Sequence, residues 1–218
     1  MLSVRLNSIL NFIDQQDRVA DIGTDHGYLL DACINKGITF GQGIENKKGP
    51  YDRALLTLNK HVLNGKIKLS LSDGLDDLDS SIDTVVIAGM GGELISQIIE
   101  ANKEKAKKIK KLILEPNIRI YELRNYLSEN SFEIINEDIV EENGKFYEII
   151  VVKYNEYCDK ISEKEKIFGP ILLKNKSNIF INKWKYRINQ INNIFEKNNK
   201  IVDDLLNQLN MIKEVVND

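Results

Sequence analysis

Four short segments hold the residues whose types and spacing can do chemistry. Asp21-Ile22-Gly23-Thr24-Asp25-His26-Gly27 is an acidic residue followed by glycine at every second place, except where Asp25 interrupts; the others are Glu45, Asp73-Gly74 and Ala88-Gly89-Met90-Gly91-Gly92. Glycines let a ligand come close to the backbone, and carboxylates accept hydrogen bonds from hydroxyl, amine and ammonium groups. A dinucleotide fingerprint needs G-x-G-x-x-G, so that a pyrophosphate rests on a helix N-terminus, and the first segment lacks that triplet. Glu45 can accept from both hydroxyls of a ribose, or cap the helix after it. Asp73 can accept from the exocyclic amine of an adenine, or share an ordinary turn with Gly74. The glycines of 88–92 leave room for a flat base, or make a glycine-rich helix entry.

These residues matter only if the fold gathers them. Leu2, Leu6, Ile9, Leu10 and Ile13 recur at helical spacing before Arg18. Strands are expected at 18–22, 38–44, 66–71, 84–88 and 111–114, and helices at 27–37, 51–63, 93–101 and 119–129. This alternation calls for a mostly parallel sheet covered on both faces. Residues 131–140 and 145–154 are strand-like runs joined through Asn143-Gly144, a strong hairpin signal. Parallel strands closed by an antiparallel hairpin suit a class I methyltransferase sheet better than a dinucleotide-binding one. Each chemistry-bearing segment then falls at the carboxyl end of a strand, where ligands bind in such sheets.

The character changes after Tyr157. Phe168-Gly169-Pro170 breaks the chain, and two helical seams follow: Trp184, Ile188, Ile191 and Phe195, then Val202, Leu205, Leu209, Ile212 and Val216. With Asn198-Asn199 between them, the second helix is expected to fold back on the first; one continuous helix is the alternative. The expected organisation is therefore an α/β Rossmann-like domain over 1–157 and a helical, coiled-coil-like domain over 158–218.

With 42% hydrophobic and 29% charged residues, the 218-residue chain has the composition of a folded globular protein and not of a disordered one. No apolar run is long enough to span a membrane and the N-terminus does not resemble a signal peptide, so a cytoplasmic location and no membrane partner are expected. Two cysteines and two histidines make a structural metal improbable, and no metal is expected. A net charge of -3 argues mildly against nucleic acid, but residues 174–200 carry seven basic residues against Glu196 alone, and Lys103–Lys111 is a second basic cluster. Either can be a solvated helix face; together they point to phosphates. A monomer is expected.

The segment from Asp21 to Gly27 resembles the methyltransferase motif D/E-x-G-x-G-x-G, with aspartate in place of the middle glycine. Together with Ile87-Ala88-Gly89-Met90-Gly91-Gly92, Leu114-Glu115-Pro116-Asn117 and Gly144-Lys145-Phe146-Tyr147-Glu148, it resembles the bacterial TrmK family, tRNA (adenine(22)-N1)-methyltransferase. The likeness extends over essentially the whole chain, including Leu2-Ser3-Val4-Arg5-Leu6, Gly49-Pro50 and Lys183-Trp184. It implies a Rossmann-like catalytic domain, a coiled-coil-like C-terminal domain, S-adenosyl-L-methionine as donor and tRNA as partner. The acid or amide-Pro-Pro-aromatic signature of enzymes that methylate adenine N6 is absent after Ala88.

On that resemblance Asp21 would hold the donor's ammonium, Gly23, Thr24 and Gly27 its amino-acid part, Glu45 its ribose, and Asp73 and Gly74 its adenine. Gly89, Met90 and Gly91 would wall the slot for the target base. Adenine N1 has an in-plane lone pair and becomes cationic on methylation, so a carboxylate is wanted beside it. Asp25 is the candidate, to stabilise charge or take a proton from the amine; a helix cap is its plainer role. His26 can orient the base or be structural, Tyr28 can stack on the adenine or sit in the core, and Asn117 can touch the base edge or cap a helix; Tyr147 is assigned to the core. The basic tail and the Lys103–Lys111 cluster would grip RNA phosphates. Rival readings are a methyltransferase of small molecules or proteins, a non-catalytic RNA-binding protein and an NAD oxidoreductase.

Overall fold

The computed structural model describes residues 2–198 and 203–217. Seven strands form one sheet, in the order β3-β2-β1-β4-β5-β7-β6. The parallel part comprises β1 (Val19–Ile22), β2 (Gly41–Glu45), β3 (Ile67–Leu71), β4 (Thr84–Gly91) and β5 (Lys111–Ile118). β6 (Phe132–Glu142) and β7 (Lys145–Tyr154) close it as an antiparallel hairpin, with β7 against β5. Asn143 and Gly144 turn that hairpin with φ of 52° and 73°, the paired positive values that an Asn-Gly turn supplies.

Helices cover both faces. α1 (Val4–Asn11), α2 (Tyr28–Lys36) and α3 (Lys48–Leu63) bury Ile9, Leu30, Cys33, Ala54 and Leu58 against one face. α4 (Gly92–Ala101), a short α5 (Lys103–Ala106) and α6 (Ile120–Glu129) bury Ile95, Ile99, Leu123 and Leu127 against the other. The α4 start admits no side chain: a Cβ on Gly92 would lie 2.2 Å from the Arg119 carbonyl oxygen.

The tail forms a third apolar cluster under the hairpin. α7 (Glu163–Phe168) and α8 (Pro170–Asn175) flank the predicted break, followed by α9 (Asn178–Asn198) and α10 (Asp203–Asn217). Phe168, Phe180, Trp184, Ile191, Leu209 and Ile212 pack there with Ile139 of β6. Arg187 Nη2 donates to Gln208 Oε1 at 2.9 Å; a continuous helix would set those residues about 30 Å apart, so α10 folds back on α9 as expected. Val202 and Asn199, part of that expectation, lie outside the described residues.

Differences from the sequence reading are mostly at element ends. β2 starts at Gly41, three residues late, and α3 begins at Lys48, ahead of Pro50, because proline is tolerated in a first turn. β4 and β5 run on to Gly91 and Ile118, with irregular pairing beyond Ala88. α5, α7 and α8 went unpredicted, each too short for periodicity to show.

Candidate active site

Strand order reverses between β1 and β4, and the crevice at their carboxyl ends is where an open α/β sheet takes its ligand. Asp21 pairs in register with Gly43, two residues before Glu45, so both carboxylates leave the same face of the sheet. Both are buried. Burial pushes the Asp21 carboxyl up to about 6, the Thr24 hydroxyl partly opposing, Glu45 adding to the rise and Arg5 countering it. Burial likewise raises Glu45, against the Asp25 amide that it accepts.

The glycine loop is held from its neighbours. Gly23, at φ 75°, donates its N–H to the Ile44 carbonyl at 2.8 Å, and a Cβ there would meet Met90 Cε at 2.5 Å. The end of β4 therefore touches the loop after β1 across the reversal. Asp25 sits in the left-handed region at φ 45°, unusual without a glycine. Glu45 Oε1 accepts from its N–H at 2.5 Å, and Arg53 of α3 binds its Oδ1 through Nε at 2.9 Å and Nη2 at 2.5 Å. Thus Asp25 does not cap α2: its carboxylate is half-exposed and turned to Arg53, with His26 Nε2 at 3.8 Å.

The remaining predicted residues lie around this centre. The His26 and Tyr28 rings stack, centroids 5.2 Å apart and planes within 5°; Tyr28 is 54% exposed and so outside the core. Asp73 is exposed and accepts from Asn46 Nδ2 at 3.4 Å, which ties the β2 and β3 ends together; Gly74 follows at φ 50° against Ile98. Gly89 has both backbone groups occupied, its N–H by Glu115 Oε2 at 2.8 Å and its carbonyl by Asn117 Nδ2 at 2.7 Å. Gly91 closes β4 with Ile118 beside it. Tyr147 packs against the apolar core, under the Arg5 guanidinium.

The donor set suits a cationic nucleoside: a buried carboxylate for an ammonium, carboxylates at the ends of β2 and β3 for hydroxyl and amine donors, and a glycine turn with no room for a side chain. A family model described as TrmK: tRNA (adenine(22)-N(1))-methyltransferase matches residues 19–217. The chain belongs to the TrmK family. It is 33% identical to the tRNA (adenine(22)-N(1))-methyltransferase of Bacillus subtilis, over 99% of this chain and 97% of that one. The Streptococcus pneumoniae Sp1610 protein, solved in complex with S-adenosyl-L-methionine, superposes with a TM-score of 0.90 at 35% identity, over 99% of this chain and 100% of that one. Mycoplasma capricolum TrmK, solved with S-adenosyl-homocysteine, gives 0.84 at 28% identity, over 100% and 98%. TrmK membership sets aside the oxidoreductase and non-catalytic readings.

Sequence reasoning missed three residues of this TrmK site: Arg5, Arg53 and Glu115. Arg5 Nη1 reaches Glu115 Oε2 at 2.5 Å, joining α1 to the end of β5. Glu115 is fully buried, and burial raises its carboxyl despite Arg5. Arg5 and Glu115 stood inside quoted segments without a role assigned to them; nothing local marked Arg53.

The basic clusters are less free than their sequence suggests. Lys111 is buried against Asp17 at 2.8 Å, Lys105 donates to the Leu75 and Asp76 carbonyls, and Lys103 and Lys107 pair with Glu100 and Glu104. This cluster precedes β5, so it lies at the strand-entry edge, away from the carboxyl ends of the strands, with Lys108 and Lys110 exposed. In the tail, Lys183 is bound to Glu148 and Arg187 to Gln208, while Lys174, Lys185 and Lys197 are exposed. Lys200 lies outside the described residues. Among the described residues, no helix is long and apolar enough to cross a membrane.

Proposed function

We propose that this chain methylates N1 of the adenine at position 22 of tRNA, with the crevice between β1 and β4 as its reaction chamber. The observation that carries the reading is the contact of the Gly23 loop with Met90 at the end of β4, beside two buried carboxylates on one sheet face. Asp21 takes the donor's ammonium, the backbone of Gly23, Thr24 and Gly27 its amino-acid part, Glu45 its ribose, and Asp73 with Gly74 its adenine. S-adenosyl-L-methionine supplies an electrophilic methyl group on a sulfonium.

The chain's own residues then position the base. His26 and Tyr28 are a stacking platform for an adenine taken out of the helix, since N1 lies on the pairing edge. Gly89, Met90 and Gly91 leave the slot open, and Asn117 fixes the Gly89 peptide. Asp25 faces the ring as it becomes cationic, and Arg53 sets the direction of its carboxylate. No proton has to leave N1 before it reacts, so charge placement and alignment are the main demands on the protein. Residues 1–157 act as the catalytic domain and 158–218 as the helical domain that meets the RNA, in the cytoplasm.

The test is incubation with labelled S-adenosyl-L-methionine and unmodified tRNA, followed by mapping of the product nucleoside. N1-methyladenosine at position 22 is expected. Asp25→Ala should lower kcat about 100-fold or more while S-adenosyl-homocysteine binds as before. A different product nucleoside overturns the reaction, and an unchanged kcat in Asp25→Ala overturns its role.

A further inference from the structure

A groove of about 700 Å3 opens between the first turn of α1 and the face of α2 that carries Tyr28, Asp31, Ala32 and Asn35. Its Tyr28 end lies at the carboxyl edge of the sheet, since α2 begins directly after the glycine loop and Arg5 of α1 reaches the end of β5. Tyr28 is common to both places, since it lines the groove and stacks on His26.

The lining indicates what the groove would take. Leu2, Leu6 and Ala32 are its apolar part; Ser3, Asp31 and Asn35 are its polar part. Among the described residues no lysine or arginine lines it, and Asp31 would repel a phosphate. An aromatic ring, an apolar wall and a carboxylate-amide pair suit the flat face and amino-bearing edge of a nucleobase. Asp31 is already oriented: its Oδ2 accepts from Asn35 Nδ2 at 3.1 Å and its Oδ1 lies 2.9 Å from His61 Nε2. Each carboxylate oxygen keeps a further lone pair for a ligand.

The reaction creates such a base. When the target adenine leaves the helix to expose N1, the nucleotide opposite it is left without a pairing partner. We propose that the groove between α1 and α2 binds this orphaned base, stacked on the face of Tyr28 opposite His26 with its amino edge toward Asp31 and Asn35, while the target adenine lies on the His26 side of the pair. The inference rests on the adenine-N1 reading above and adds a second nucleotide subsite to it. By holding the partner base, the groove raises the population of the extruded adenine; it acts on tRNA recognition and not on donor binding.

Two variants test this. Ala32→Phe fills the groove, and Asn35→Ala removes an exposed edge contact without disturbing the core. For each, kcat/KM is measured on unmodified tRNA and on the same tRNA with an abasic residue opposite the target, and S-adenosyl-homocysteine affinity by calorimetry. Each variant should lose about tenfold on intact tRNA, bind S-adenosyl-homocysteine as the wild type does, and show no loss on the abasic tRNA. An equal loss on both tRNAs, or none on the intact one, overturns the groove's role. Wild-type protein that forms no N1-methyladenosine at position 22 would overturn the underlying reading, which separates the two failures.

Discussion

Asp21 occupies a place where a carboxylate is costly. Its carboxyl is pushed from 3.8 up to about 6, first by burial, with Thr24 opposing, Glu45 reinforcing and Arg5 countering. An acid that holds its proton more tightly when folded contributes stability below its unfolded pKa and loses it as pH rises through the folded one. Above about pH 6 the ionised group therefore costs roughly 3 kcal/mol. Asp21→Asn is expected to be more stable than the wild type in urea titrations at about pH 7.5, with the difference gone near pH 4. The charge is kept for a ligand: wild-type affinity for S-adenosyl-homocysteine, read by calorimetry, should fall as pH drops through about 6, where protonated Asp21 no longer meets an ammonium. An affinity that stays flat from about pH 5 to about pH 8 would remove Asp21 from that role. Asp21, Glu45 and Asp73 were legible in the sequence because strand ends are local features. Arg5 and Arg53 were not, because their partners Glu115 and Asp25 stand 110 and 28 residues away and no spacing rule links them.

Among elements, the joint between sheet and tail is a buried charge cluster. Arg124 of α6 binds Glu137 of β6 at 2.6 Å and Glu148 of β7 at 2.5 Å, all three without side-chain exposure. Lys183 of α9 completes the pair to Glu148, and Glu137 Oε2 accepts from the Ile171 and Leu172 amides of α8. Burial raises Glu137, whereas Lys183 and Arg124 together outweigh burial and lower Glu148. Arg124→Met leaves two carboxylates buried against one lysine and should cost about 3–5 kcal/mol in urea unfolding. Adding Glu137→Gln should recover part of that loss; a single-variant cost below about 1 kcal/mol would show that the cluster does not secure the joint. The hairpin strands in this joint were readable from their alternation and the Asn-Gly turn. α7 was readable in principle: Ser162 and Glu165 form a capping box, the S-x-x-E pattern that marks a helix start. A six-residue helix shows too little periodicity to be found without that cue. The ends of β4 and β5 were missed because Gly89, Gly91 and Pro116 read as breakers, yet here Gly91 and Pro116 pair through shifted register while Gly89 is left out between Ala88 and Met90.

At the scale of the whole molecule, the sequence charge clusters separate into two kinds once their edges of the sheet are known. At the strand-entry edge Lys111 holds Asp17, and Lys103 and Lys107 hold Glu100 and Glu104, so those three charges serve the fold. Lys174, Lys185 and Lys197 stand exposed on α8 and α9. If the tail meets the tRNA backbone, each of these releases counterions on binding, and affinity falls with salt in proportion to the number engaged. Lys174→Gln, Lys185→Gln and Lys197→Gln should each weaken tRNA binding and reduce the slope of log affinity against log salt by about one, with S-adenosyl-homocysteine affinity unchanged. Lys108→Gln and Lys110→Gln should leave that slope as it is. Filter binding across a salt series distinguishes the two faces. A slope that responds to Lys108 and Lys110 but not to the tail would put the RNA at the strand-entry edge. The adenine would then have to reach Asp25 and Tyr28 from the far side of the sheet, and the crevice between β1 and β4 would lose its claim to be where methylation occurs.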